Sequence, residues 1–369
     1  MSLEEDLGRR LASWREAGLE RHLRVLVGAG PIVECEGRRL LNFCSNDYLG
    51  LASDPRLQVP GPAGSGASRL ITGNLSAHRD LETRLAERVG MPRTLLFTSG
   101  YAANLGAISA LVGRGDHIFS DRLNHASLID GARLSGAHIH IYEHASVEHL
   151  ADQLAECPLG SRKMVVTDAL FSMDGDVAPL RELRELCCEH DAWLYVDEAH
   201  SFGVLGDGRG LSAGLEVQPD VFVGTLGKAF GAQGAFVAGS EALAQWLIQK
   251  ARSFVFSTAL SPQVVASVDA ALHVERSEPW RRQQVLRHAD AIRGAIGIEG
   301  VGPIVPVHFG SNARALAAAE SLLEQGILAT AIRPPTVPEG SARIRITTMA
   351  THTDQHVEQL IRALSRLRQ

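Results

Sequence analysis

The chain has 369 residues, 45% hydrophobic and 21% charged, a balance that excludes a disordered protein and leaves material for a large domain and a smaller one. Its formal net charge of −6 gives no general basic face for nucleic acid, so an anionic substrate must meet local arginines. Five cysteines without a C-x-x-C pair argue against a disulfide framework or zinc knuckle, and neither a secretory apolar run nor a bilayer-long apolar stretch is present, so the expected location is the cytoplasm.

In chain order, Leu3, Leu7, Leu11 and Trp14 predict a helix over residues 2 to 20, and 38–43 a short strand. The turn-rich 44–55 follows, then a Gly/Pro-rich stretch over 60–73. Arg69, Thr72 and the next helix, 78–89 with Leu81, Leu85 and Val89 on one face, mark that stretch as a structured loop. From Thr94 strand and helix alternate. Strands are expected at 95–98, 117–119, 137–142, 164–167, 193–196 and 221–223, and helices carry Leu105, Ile108 and Val112, then Val147, Leu150, Leu154 and Ala155, then Leu180, Leu183 and Leu186 with Pro179 in a first turn. Such alternation predicts an α/β fold, a mostly parallel central sheet in a large domain. After about residue 275 the texture changes to strands at 304–309 and 342–347 with helices at 313–323 and 357–364, a smaller C-terminal α+β domain. The expected division is 1–45, an N-terminal helix and strand segment; 46–275, the large domain; and 276–369, the small one.

Ligands of open parallel sheets sit beyond the carboxyl ends of the strands, which directs attention to polar residues that follow apolar runs. Val221-Phe222-Val223 leads into a glycine-rich loop carrying Lys228, whose amine should have a lowered pKa among apolar neighbours. This is not a nucleotide P-loop, because Ala229 stands where Ser or Thr is required. Trp193 to Val196 ends in Asp197, and Leu96-Phe97-Thr98 ends in Ser99-Gly100-Tyr101, whose amides open a helix and make a phosphate seat. A lysine on a glycine loop, an acid at a strand end and a phosphate seat together suit pyridoxal 5′-phosphate, with the lysine as Schiff base and the acid on the pyridinium nitrogen. His138, His140, His144 and His149 lack a Cys or carboxylate partner in the pattern, so no metal is expected, and Arg333, Arg343, Arg345 and Arg362 read as substrate and surface groups rather than a nucleic-acid patch.

Seven segments in order resemble the α-oxoamine synthases, fold-type I pyridoxal-phosphate enzymes: N-F-C-S-N-D-Y-L-G-L (42–51), S-G-Y-A-A-N (99–104), D-R-L-N-H-A-S-L (121–128), F-S-M-D-G-D (171–176), V-D-E-A-H-S-F-G-V-L-G (196–206), G-T-L-G-K-A-F-G (224–231) and I-R-P-P-T-V-P-E-G-S-A-R-I-R-I-T (332–347). The resemblance implies that Lys228 carries the cofactor, Asp197 pairs with its ring nitrogen, and His125 stacks on its face. It further implies that Ser172 and His200 bond its phenolic oxygen, and that the Gly100 and Tyr101 amides and the Thr225 hydroxyl hold its phosphate. Asn46 and Arg345 would bind the amino acid. Ser257 and Thr258 would reach the phosphate of a partner subunit in a homodimer with shared sites, an expectation supported by Phe254 and Phe256, which look too apolar to leave in water. I-R-P-P-T-V-P favours members that condense L-alanine with a pimeloyl thioester. Glycine- or serine-using members, or a non-catalytic protein of the same fold, stay open at this stage. Two departures stand out: 56–62 is shorter than usual at the acyl entrance, and Ala67 replaces a glycine.

Overall fold

Apolar strands alternating with amphipathic helices can bury both faces only in layers, and the computed structural model, which describes residues 1–158 and 160–367, has that form. Behind the N-terminal helix Leu3–Glu16, β1 (Ile32–Cys35) and β2 (Arg38–Asn42) form an antiparallel hairpin. The central sheet contains β3 (Arg93–Phe97), β4 (His117–Asp121), β5 (His138–Tyr142), β6 (Lys163–Asp168), β7 (Ala192–Asp197), β8 (Val221–Thr225) and β9 (Ala235–Gly239), in spatial order 3-9-8-7-6-4-5. From β8 to β5 every neighbouring pair is parallel, while β9 runs antiparallel between β8 and β3. The sheet is therefore mostly parallel, as expected, with one reversed strand that the pattern did not reveal. All five residues of β9 are buried, so it shows no alternation and reads as a continuation of the glycine loop.

In the C-terminal part, β10 (Ile304–Gly310), β12 (Thr330–Ile332) and β13 (Ala342–Thr347) form an antiparallel sheet in the order 10-13-12, and β11 (Ile327–Leu328) lies between β10 and β12 in sequence. β11 pairs in parallel with β2. Leu41 and Phe43 accordingly share one core with Ile344, Ile346, Leu360 and Leu364, and the segment that leads to Asn46 is anchored on the C-terminal layer.

Of three local expectations, two need correction and one, the N-terminal helix, is met. Pro179 is the cap residue before helix Leu180–Glu189 rather than part of its first turn. Helix Leu3–Glu16 forms, with Ser2 and Glu5 in a capping box, but none of its residues is buried within the chain, so its apolar stripe faces outward. Phe254 fills the chain's own core beside Phe97, with ring centroids 5.5 Å apart, whereas Phe256 is 70% exposed under the Arg252 guanidinium. Among the described residues no helix is long and apolar enough to cross a membrane, and no group of three or more His, Cys, Asp or Glu is arranged to hold a metal ion.

Candidate active site

The carboxyl ends of β6, β7 and β8 open toward one cavity of about 290 Å³ lined by Cys44, Asn46, His125, Ser172, Met173, His200, Lys228, Thr330, Ile332 and Arg345. Six residues singled out in the sequence thus meet in one place. A larger cavity of about 980 Å³, between Trp193 and Trp246, lies at the amino ends of β7 and β8, away from this chemistry.

Lys228 is placed by a tight loop after β8, in which the Gly231 amide donates to the Lys228 carbonyl at 2.9 Å. Gly231 has φ +60°, and a side chain there would run into the backbone of Leu51 and Ala52, so the N-D-Y-L-G-L segment and the lysine loop can pack only across a glycine. Asp47 shapes the other side by accepting the Leu51 and Ala52 amides at 2.8 and 3.0 Å. The lysine side chain reaches the cavity, but its amine is desolvated, which brings it down to about 8, with Asp197 and Asp168 opposing the shift. Its Nζ lies 2.9 Å from His200 Nε2.

His200 Nδ1 is 2.6 Å from the Tyr48 hydroxyl, which is 3.2 Å from Asn46 Oδ1, and Arg345 donates to the same oxygen at 3.1 Å. One proton assignment satisfies every member: Arg345 and the Tyr48 O–H donate to Asn46, the His200 Nδ1–H donates to Tyr48, and His200 Nε2 accepts from Lys228. Burial, followed by the charges of Lys228 and Arg345, holds His200 well below its usual range and so neutral, as this assignment requires. Burial likewise pushes Tyr48 up to about 12, keeping its proton in the chain. Arg345 also donates to the Ser172 carbonyl, joining β13 to the F-S-M-D-G-D loop.

A second network lies around Asp197. Its carboxylate accepts Asn104 Nδ2 at 2.6 Å and the Ala199 amide at 2.9 Å. Asn104 also donates to Ser127 Oγ at 2.8 Å and accepts from the Tyr195 hydroxyl at 2.8 Å. With one lone pair of Ser127 Oγ occupied, its O–H is free to donate to His125 Nδ1 at 2.7 Å, which leaves the proton on Nε2. Burial keeps His125 below its ordinary value, Asp197 opposing and Lys228 adding to the effect. Asp168 stands opposite Asp197 in register, buried, and accepts the His125 amide at 2.7 Å. Burial beside a second carboxylate holds Asp168 well above the usual carboxylate range. Sequence reasoning gave no role to Asn104, Ser127, Asp168 or Tyr48. Asn104, Ser127 and Tyr48 lie inside quoted motifs, but nothing in a linear motif shows what they touch.

The remaining candidates, Gly100, Tyr101, Thr225 and Thr258, are not among the residues that line the cavity. Gly100 and Tyr101 open helix Gly100–Leu111, whose N-cap Ser99 takes the Ala102 amide. The first amides of a helix have no acceptor within it, and the space beside Gly100 is open, so a phosphate can approach them. The Thr225 hydroxyl ends β8, 3.3 Å from the Gly234 carbonyl. Thr258 is not among the cavity's lining residues; it forms a β-bridge with Ser68, and the adjacent Ala259 amide bonds the Ala67 carbonyl. The shortened stretch after Pro55 is pinned by Arg56, which pairs with both Asp54 and Glu278 at 2.6 Å.

A family model described as aminotransferase class I and II matches residues 38–364, which defines the class to which this fold and site belong. The 8-amino-7-oxononanoate synthase of Anaeromyxobacter dehalogenans (strain 2CP-1) is 50% identical over 376 residues, covering 97% of this chain and 94% of its own; that of Saccharophagus degradans is 46% identical over 385 residues, covering 99% and 97%. The chain belongs to the 8-amino-7-oxononanoate synthase family. Among solved structures, serine palmitoyltransferase of Sphingomonas wittichii superposes with a TM-score of 0.93 at 31% identity, covering 100% of this chain and 98% of that one. An 8-amino-7-oxononanoate synthase from Francisella tularensis gives 0.75 at 27% identity, covering 89% and 97%.

Proposed function

We propose that the chain condenses L-alanine with a pimeloyl thioester, releasing carbon dioxide and the free thiol carrier and forming 8-amino-7-oxononanoate, in biotin biosynthesis. The observation that carries this reading is 46% to 50% identity, over nearly the whole chain, with proteins bearing that synthase's name. Similarity of fold alone does not discriminate, since serine palmitoyltransferases superpose as well at 29% to 31% identity.

The residues present fit pyridoxal 5′-phosphate: a desolvated amine and an imidazole line the cavity, a buried acid ends the neighbouring strand, and an open helix N-terminus follows β3 at the same edge of the sheet. When bound, that cofactor supplies an electron sink that stabilises negative charge at the amino acid's α-carbon. Lys228 would hold it, and its freed Nζ would take the α-proton of alanine; positioned proton transfer of this kind contributes about a hundred- to ten-thousandfold. Asp197, fixed by Asn104 and the Ala199 amide, would keep a negative charge at the ring nitrogen. His125 would lie on the ring face, while Ser172 and His200 would meet the phenolic oxygen. Gly100, Tyr101 and Thr225 would hold the phosphate, and Arg345 with Asn46 would hold the alanine carboxylate in a planar fork. The working unit in this reading is a cytoplasmic homodimer in which Thr258 serves the partner's site.

A thiol-release assay across amino acids and acyl thioesters tests the reading. L-alanine with pimeloyl thioester should give the highest kcat/KM, and a preference for glycine or serine would overturn it.

A further inference from the structure

The loop after β5 carries a histidine to which the chemistry above assigns nothing. His144 places Nδ1 2.9 Å from Asp121 Oδ1 and Nε2 2.5 Å from Asp176 Oδ2. Carboxylate oxygens accept, so both ring nitrogens donate and the ring is an imidazolium. Its two partners belong to different loops of the site. Asp121 ends β4 and also takes the Leu123 amide at 2.8 Å and the Ala145 amide at 2.8 Å, which shapes the turn leading to His125. Asp176 closes the F-S-M-D-G-D loop: the Phe171 amide bonds the Asp176 carbonyl and the Gly175 amide bonds the Phe171 carbonyl, each at 2.9 Å. The Phe171 ring meets the His144 ring edge-on at 4.5 Å, immediately before Ser172. From the opposite side the same loop is held by β13, through Arg343 to Asp174 and Arg345 to the Ser172 carbonyl.

We propose that His144 is a positioning residue, the tie that fixes the Ser172 loop against the His125 turn. The inference rests on the functional reading above for the roles of Ser172 and His125. Without the tie the loop keeps its bonds to β13 and the packing of Phe171, and the His125 turn keeps only its bonds to β6 through Asn124 and Asp168, so Ser172 keeps its relation to Arg345 and loosens relative to His125. Alanine capture by Arg345 and Asn46 is then preserved while the reacting geometry is not. Burial of the ring opposes its charge, but the bonds to Asp121 and Asp176 prevail and carry it up to about 10, which supports the geometric assignment.

The test compares the holoenzyme with His144→Ala and with Asp176→Asn, a milder change at a half-exposed side chain that protects the experiment if the alanine variant fails to fold. Amide exchange should rise by about tenfold or more in 121–125 and 171–177 together, as expected for loss of a charged hydrogen bond, with 342–347 unchanged. The value of kcat should fall by about a hundredfold in His144→Ala, the cost of a misplacement near 1 Å, with the KM for L-alanine changed less than about twofold. The pH at which the visible absorbance of the bound cofactor titrates should shift as well. The kcat effects of Asp121→Asn and Asp176→Asn should be non-additive in the parent and additive in the His144→Ala background. Faster exchange confined to 143–146, or lowered thermal stability with kcat and the absorbance titration unmoved, would overturn the proposal. Exchange uses no substrate, so an unmodified enzyme that releases no thiol with L-alanine would sink the functional reading while leaving the loop coupling tested.

Discussion

Replacing Asn104 with alanine tests whether the polar groups beneath the cavity act as one unit. The side chain is fully buried and satisfies three partners, Asp197, Ser127 and the Tyr195 hydroxyl. A hydrogen bond to a charged group contributes about 1.5–3 kcal/mol and a neutral one about 1 kcal/mol, so the variant should lose about 3.5–5 kcal/mol of stability. Part of that loss is the cost of orphaning the Tyr195 hydroxyl. In a Tyr195→Phe background no hydroxyl is left to orphan, and Asn104→Ala should cost about 1–2 kcal/mol less. Urea unfolding of the four proteins of this cycle, with the denaturant slope checked for constancy, measures the difference. A loss under about 1 kcal/mol, or additivity within about 0.5 kcal/mol, would refute the claim that the three bonds form one network.

Capture of pyridoxal phosphate by the cofactor-free protein, followed by visible absorbance, should speed up about tenfold per pH unit up to about 8 and then level off, because the free amine is the reactive form. Levelling only near the ordinary lysine value would show that Lys228 is not desolvated. The same depressed value makes the folded chain bind fewer protons than the unfolded one between about 8 and the usual lysine range, so stability of the cofactor-free protein should rise with pH across that window, and Lys228→Met should abolish this component. Asp197→Asn should still bind cofactor but slow α-proton exchange of alanine strongly; exchange at the parent rate, read by NMR, would remove Asp197 from its role. Mixing an inactive Lys228→Ala chain with one inactivated at Thr258 should restore activity, since one site of each mixed dimer is then intact. No recovery from verified mixed dimers would mean that each chain builds its site alone.

Local sequence was sufficient wherever a residue's place depended on its own strand end or turn. Lys228 after Val223, Asp197 after Val196 and Gly100 after Ser99 were legible because an apolar run followed by a polar residue or a glycine already states where a parallel strand stops. The alternation of elements likewise determined the mostly parallel sheet. Only the tertiary structure could decide what depends on two distant segments meeting. β9 is hidden because a fully buried strand has no period of two, and β11 is two residues long, recognisable only by its pairing with β2. Asn104 became a partner of Asp197 across 93 positions, and His144 a link between Asp121 and Asp176, because hydrogen bonds are set by distance in space and leave no periodic trace in sequence. The apolar stripe of Leu3–Glu16 shows the same division: its spacing determined a helix, but no contact within the chain covers the stripe, so burial of that face was not fixed by the pattern.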